Sequence, residues 1–223
     1  MCYSLESSRN SFLIGGSASL YLLFFSKDNT NKHIGLFLFV VCLMQLLEYF
    51  MWKDQNCGLM NDLASRSVQP LLTLQTLSIF VGAYIFNTTT ISKNILSYFI
   101  FGVSIYLIYV LYIVFYGNNL KWCTKPNSDN SLQWANHKNL FLYQNYATYF
   151  YMLTFLLIPF FIKKQWKGLI VLFIGAIFYY MAKHENSGTT NSRWCYYAAF
   201  IPLLFIILDK LRFKLKFTIH FFH

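Results

Sequence analysis

Two ionisable residues stand inside runs that are otherwise apolar. Glu48 lies near the end of one such run and Arg66 near the start of the next. Around them the polar residues fall at helical spacing. Gln45 and Glu48 share a face, and Asp62, Arg66, Gln69, Thr73 and Thr76 occupy one narrow arc of a helix. A charge in hydrocarbon costs roughly 2.5–3.5 kcal/mol at the bilayer centre, so such residues are expected to face the interior of a bundle or to pair. The two runs would form an antiparallel hairpin, with Glu48 just before its turn and Arg66 just after. The expectation is a Glu48–Arg66 pair, so that Glu48→Gln and Arg66→Gln each destabilise more than the double change does.

Further polar groups fall at the same end of their runs. They are Gln144, Glu185 and Arg193, with Glu6 and Arg9 near the N-terminus. The expected ligand-binding set is therefore Gln45, Glu48, Arg66, Gln69, Thr73, Gln144, Glu185 and Arg193, arranged as an outward-facing polar pocket for a small ligand, an ion or a lipid headgroup. The alternative is an ion-pair and amide network that only fixes helix register.

The cysteines sharpen the placement. Cys2, Cys57, Cys123 and Cys195 all fall on the side where these polar groups gather, and only Cys42 lies within a run. On an oxidising side two disulfides could form among the four, and three pairings are open. On a reducing side they are thiols. No C-x-x-C occurs, and the five histidines (His33, His137, His184, His220, His223) show no metal-ligand spacing, so no metal or other cofactor is expected. H-E-x-x-H, a P-loop, a dinucleotide-binding glycine turn and a G-x-S-x-G elbow are absent too. Glu48, His184 or Glu185 could serve as a general acid or base, but no nucleophile is apparent.

What positions these residues follows from composition. Of 223 residues, 57% are hydrophobic and 12% charged. That balance excludes an ordinary soluble domain. Seven apolar runs are long enough, or nearly so, to cross a bilayer at about 20 residues each: 10–26, 33–53, 63–87, 92–116, 140–162, 167–183 and 193–211. The first and sixth are short, which leaves six spans as the alternative. The fold class expected is all-α, an integral membrane bundle over residues 1–211 with a basic, aromatic tail at 212–223. The net charge of +10 lies mainly between runs and in the tail, which points to membrane topology and away from nucleic acid. With the N-terminus outside, ten of the 18 Lys and Arg fall on the inner side, including the cluster Lys163, Lys164 and Lys167. The first run reads as a retained span because it lacks the basic start of a signal peptide. Its Ser11, Gly15 and Ser19, spaced by four, suit close helix packing, as do Gly168 and Gly175. Pro70 and Pro202 are expected to bend their helices.

Some segments carry a resemblance. Met1-Cys2-Tyr3-Ser4, the stretch 45–52, Asn61 through Gln69 and Pro70, and Trp194-Cys195 with Ala198-Ala199 resemble a group of uncharacterised multi-pass membrane proteins that begin Met-Cys-aromatic-Ser, found in bacteria and in large DNA viruses. The resemblance is strongest over the N-terminus and the second and third runs. It implies a membrane protein of this size with the shared residues on the outer face, and it assigns no activity. Three functional classes follow: a ligand-binding, sensing or transport protein; a membrane-embedded enzyme acting on a lipid or thiol; and a structural protein of a cellular or viral membrane. The expected partners are the lipid bilayer and a small ligand, ion or lipid.

Overall fold

The computed structural model describes residues 4–116, 121–135, 152–153, 155–185 and 189–221, with the backbone alone for 212–221. The described residues are all-α apart from one minimal hairpin. Helices α1 (Leu5–Phe25), α2 (Asn29–Lys53), α3 (Leu59–Phe86) and α4 (Lys93–Phe115) follow one another with short turns. Strands β1 (Lys125–Pro126) and β2 (Leu132–Gln133) pair antiparallel within the loop after α4. A 3-10 turn at Ile158–Phe161 leads to α5 (Gln165–Glu185), then α6 (Thr190–Ala198) and α7 (Ile201–Phe221).

The helix starts are local chemistry. Ser4 accepts from the Ser7 N–H, and Asp28 from the Thr30 N–H, each satisfying a first-turn donor that has no carbonyl to bond. Helix α3 begins on Gly58 as its N-cap, and Asp54 supplies the missing acceptors from the preceding turn. The far end of α3 closes on Asn87 in the left-handed region at φ 51°, which lets its N–H reach the Ala83 carbonyl. Pro70 lies inside α3, which continues through it.

Helix α2 packs along α1 on one side and α3 on the other, and α4 packs on α3. Helices α6 and α7 come back against α1, α2 and α5. Among the described residues, four helices are long and apolar enough to cross a membrane: α2, α3, α4 and α5. Helices α6 and α7 together make a fifth, bent by 41° at their junction. Pro202 sits in the first turn of α7, where no N–H is required of it. Helix α1 is as long as α5 but richer in small polar residues. It joins the bundle through a buried face of Ser8, Ser11, Gly15, Gly16 and Ser19. Most of the fifth apolar run, 140–162, lies outside the described residues, as do Cys2, His137 and Gln144.

Candidate functional site

The polar end of the bundle is built from the α2–α3 turn upward. Cys57 takes a positive φ of 59° so that the chain can reverse within a few residues. The Gly58 and Asn61 N–H groups both donate to the Asp54 carboxylate, which holds it below the usual carboxylate range. The Asn61 side chain is then a hub. Its Nδ2 donates to the carbonyls of Met51, Asp54 and Thr124, and its Oδ1 accepts from Ser65 Oγ and the Thr124 N–H. A disulfide joins Cys57 to Cys123 beside it, with the two Cα atoms 5.3 Å apart. The segment 121–135 is thereby fastened over the helix ends.

This cap changes the expected charge pairing. Asp62 accepts from the Trp122 N–H at 2.7 Å and pairs with Arg66 Nε at 2.8 Å, one turn along the same helix. Arg66 also donates to the Val114 carbonyl of α4. Arg66 is therefore matched to Asp62 rather than to Glu48, because the arc that carries Arg66 faces α4 and the cap, while Glu48 faces the other side of α2.

Glu48 is fully buried. It accepts from Gln45 Nε2 at 2.7 Å and from the indole Nε1 of Trp134 at 3.1 Å. Gln45 in turn accepts from Ser11 Oγ of α1 at 2.9 Å. A chain of donors thus runs from α1 through α2 to the cap. Ser8 lies one turn from Ser11, as Glu48 lies one turn from Gln45, so the antiparallel packing of α1 and α2 sets Ser8 and Glu48 at one level. The Ser8 hydroxyl is buried and makes no hydrogen bond among the described residues. Cys195 of α6 is close enough to Glu48 to interact with its charge. It is a buried free thiol, as is Cys42, so of the four cysteines expected to pair, Cys57 and Cys123 are joined and Cys195 is not.

The other expected residues divide between the cap and the lower bundle. Arg193 pairs with Glu185 at 2.8 Å, donates to Ser131 Oγ and approaches Asp129 at 3.8 Å, while the Tyr197 hydroxyl donates to the second oxygen of Glu185. Arg193 thereby grips the β1–β2 turn while Glu185 holds its guanidinium. Gln69 and Thr73 lie deeper on α3. Thr73 Oγ1 donates to the Gln69 carbonyl, and Gln69 Oε1 has no partner among the described residues.

Set against known proteins, the chain matches no family model, no curated protein and no solved structure. The site must therefore be read from its own geometry.

A second polar cluster, at the other end of the bundle, was not visible in the sequence as a unit. Lys167 is buried and bonds Asp28 at 2.8 Å, Asp209 at 2.9 Å and Asn31 at 2.6 Å. Lys164 also pairs with Asp28, and Asn31 with Asp209. Only the spacing of Asp28 with Asn31, and of Lys164 with Lys167, hinted at shared faces. Their meeting depends on how α2, α5 and α7 pack. Burial raises the Asp28 carboxyl, but hydrogen bonds from Lys164 and Lys167 outweigh it and hold the group at about 2. A depressed folded pKa contributes stability above the ordinary value of 3.8 that is lost as pH falls through 2. Melts of the detergent-solubilised protein should weaken between those pH values, and Asp28→Asn should flatten that part of the curve. An unchanged acid limb in the variant would count against this assignment.

Proposed function

We propose that the chain is a multi-pass membrane protein of seven spans, with its N-terminus and capped end outside, that binds a small polar ligand at Glu48. The observation that carries this is the burial of the Glu48 carboxylate inside an apolar helix, at the meeting point of α1, α2, α6 and the cap. An ionisable residue kept at that depth is retained for binding or transfer far more readily than for stability. Its donors include the side chains of Gln45 and Trp134, with the serine hydroxyls of α1 at its level. A carboxylate accepts, so the ligand class proposed is one presenting an N–H donor or a positive group, such as a small amine.

The orientation is supported by the two ends of α2, about 37 Å apart for its 25 residues. One end carries the disulfide, which belongs on an oxidising side. The other meets Lys164 and Lys167, which suits the cytoplasmic side. The resemblance to the Met-Cys-aromatic-Ser group stands with this reading.

A structural role is the second reading, and one observation favours it. Asn61, Asp62, Ser65 and Arg66 are all engaged by neighbouring groups of the protein itself. The two separate in one experiment. Short-chain and quaternary amines are titrated against the purified protein in lipid nanodiscs while its melting temperature is followed. A binding protein should be stabilised by at least one of them, and Glu48→Gln should abolish the response while Arg66→Gln keeps it. If no amine distinguishes wild type from Glu48→Gln, the structural reading stands.

A further inference from the structure

No charged residue occurs between Arg66 and Phe86, yet Gln69, Thr73, Gln75, Thr76 and Ser78 are all buried there. Two of these side chains are satisfied by their own helix. Thr73 Oγ1 donates to the Gln69 carbonyl and Ser78 Oγ to the Gln75 carbonyl. Gln75 and Thr76 are not. Both are fully buried, and Gln75 Nε2, Gln75 Oε1 and Thr76 Oγ1 have no hydrogen-bond partner among the described residues. Gln75 lies about 24 Å along a helix about 42 Å long, near the middle of a hydrocarbon layer about 30 Å thick.

The surroundings that α2 offers Gln75 are apolar. Gln75 stands one heptad from Gly82, so the two share a stripe of α3. That stripe faces α2, because a Cβ added at Gly82 would strike the His33 ring. The two helices run antiparallel, with Asn61 Nδ2 bonding the Met51 carbonyl near their turn. Seven residues beyond His33, Val40 therefore stands level with Gln75. Val40, Phe37 and Val41 are buried, and none of their side chains can bond an amide. Polar groups at this depth are matched by neighbours or by bound water, because an unmatched one is costly.

The unpartnered atoms define what would match them. Gln75 Nε2 offers donors, Gln75 Oε1 an acceptor, and Thr76 Oγ1 either. A cation would satisfy no donor and an anion no acceptor, and residues 67–86 carry no charge to balance either. A neutral molecule that donates and accepts satisfies both, and water is small enough for a fully buried place. We propose that Gln75 and Thr76 form an internal water site in the middle of the bundle. Asn61 stands level with Met51, so Glu48 is level with Ala64, about 16 Å from Gln75 along the axis. His33, whose Nδ1 meets Thr88 Oγ1 at 2.7 Å, lies about 10 Å the other way. Water at Gln75 thus places a polar step between two buried polar groups that apolar turns of α2 separate. The inference goes beyond the membrane-spanning reading and is independent of what Glu48 binds.

The test exposes the full chain in lipid nanodiscs to X-ray radiolysis, which makes hydroxyl radicals from water in place, and locates oxidised side chains by mass spectrometry. Leu72→Met supplies the reporter. Leu72 is buried, and a helical side chain leans over the preceding turn, so Gln75 reaches toward position 72. Leu96→Met, in the apolar core on α4, is the dry control; both changes conserve volume. The thioether at 72 should be oxidised while that at 96 is spared, and adding Gln75→Leu should remove the oxidation at 72. Thr76→Val, which keeps the side-chain shape, should lower it and serves alone if Gln75→Leu does not accumulate. Equal oxidation at 72 and 96, or oxidation at 72 that neither change reduces, would overturn the proposal. So would a higher melting temperature for Gln75→Leu, the mark of a dry amide whose burial was unmatched. Carbonate extraction checks the spanning reading by itself: release of the protein would sink that reading, and integration with no oxidation at 72 would sink only this one.

Discussion

Asn61→Ala should lower the melting temperature of the protein more than any other single change at the capped end. Its two Nδ2 hydrogens are shared among three carbonyls and its Oδ1 accepts twice, and the residue is fully buried. Truncation leaves the Thr124 carbonyl and the Thr124 N–H without this partner, in a place water reaches poorly, while the Met51 carbonyl keeps Gln55 Nε2. Each buried group stranded in this way costs about 1–3 kcal/mol. Partial relaxation of the cap reduces the sum, so a loss of about 3 kcal/mol, or roughly 6–12 °C, is expected. The Cys57–Cys123 disulfide is the natural rival. In a chain-entropy account, closing a loop of its 66-residue separation contributes about 4 kcal/mol. That figure assumes a denatured chain free in water. Here α2, α3 and α4 hold the two cysteines close whenever they remain inserted, so most of that entropy is already lost. Cys57→Ser should therefore cost less than Asn61→Ala in matched thermal melts. The reverse order would show that the covalent link, and not the amide hub, keeps the cap closed.

The same contrast explains what could be read in the sequence. Apolar runs, turn residues and the polar arc of α3 are properties of single segments, and they locate α2, α3, α4 and α5 to within a few residues. The small-residue face of α1 is also local, and Ser11 and Gly15 lie in the contact. What required the structure was every relation set by rotation of one helix against another. Glu48 and Arg66 stand at similar depth beside one turn, which made their pairing the simplest expectation. Depth alone does not pair them, since Asp62 sits on Arg66's own helix at the favourable spacing of four. Trp134 was recognisable only as a loop aromatic, because nothing in 121–135 says which carboxylate its indole will meet 86 residues away. The lysine cluster at 163–167 was legible as charge. That Lys167 is buried between Asp28 and Asp209 follows from the return of α7 beside α2.

Gly15→Leu should disable the Glu48 site without touching a polar residue. A Cβ added at Gly15 would lie only 2.0 Å from the Ala199 carbonyl oxygen and 2.8 Å from Cys42 Sγ. The first neighbour is backbone at the α6–α7 bend, so no rotamer change can relieve the clash. Either α1 moves off α2 or the bend shifts. Overpacking of this kind costs about 1–3 kcal/mol, and here the displacement also reaches function. Ser11 lies one turn from Gly15 and bonds Gln45, which bonds Glu48, while Cys195 on the far side belongs to the helix that ends at the same bend. Moving either element separates the groups that surround the carboxylate. Gly16 provides the control, because its added Cβ would meet only the Phe12 ring at 3.6 Å, an ordinary contact. Gly16→Ala should therefore keep both stability and the amine response that Gly15→Leu loses. Equal behaviour of the two variants in nanodisc melts, with and without amine, would show that the close approach of α1 to the bend is not what holds the site together.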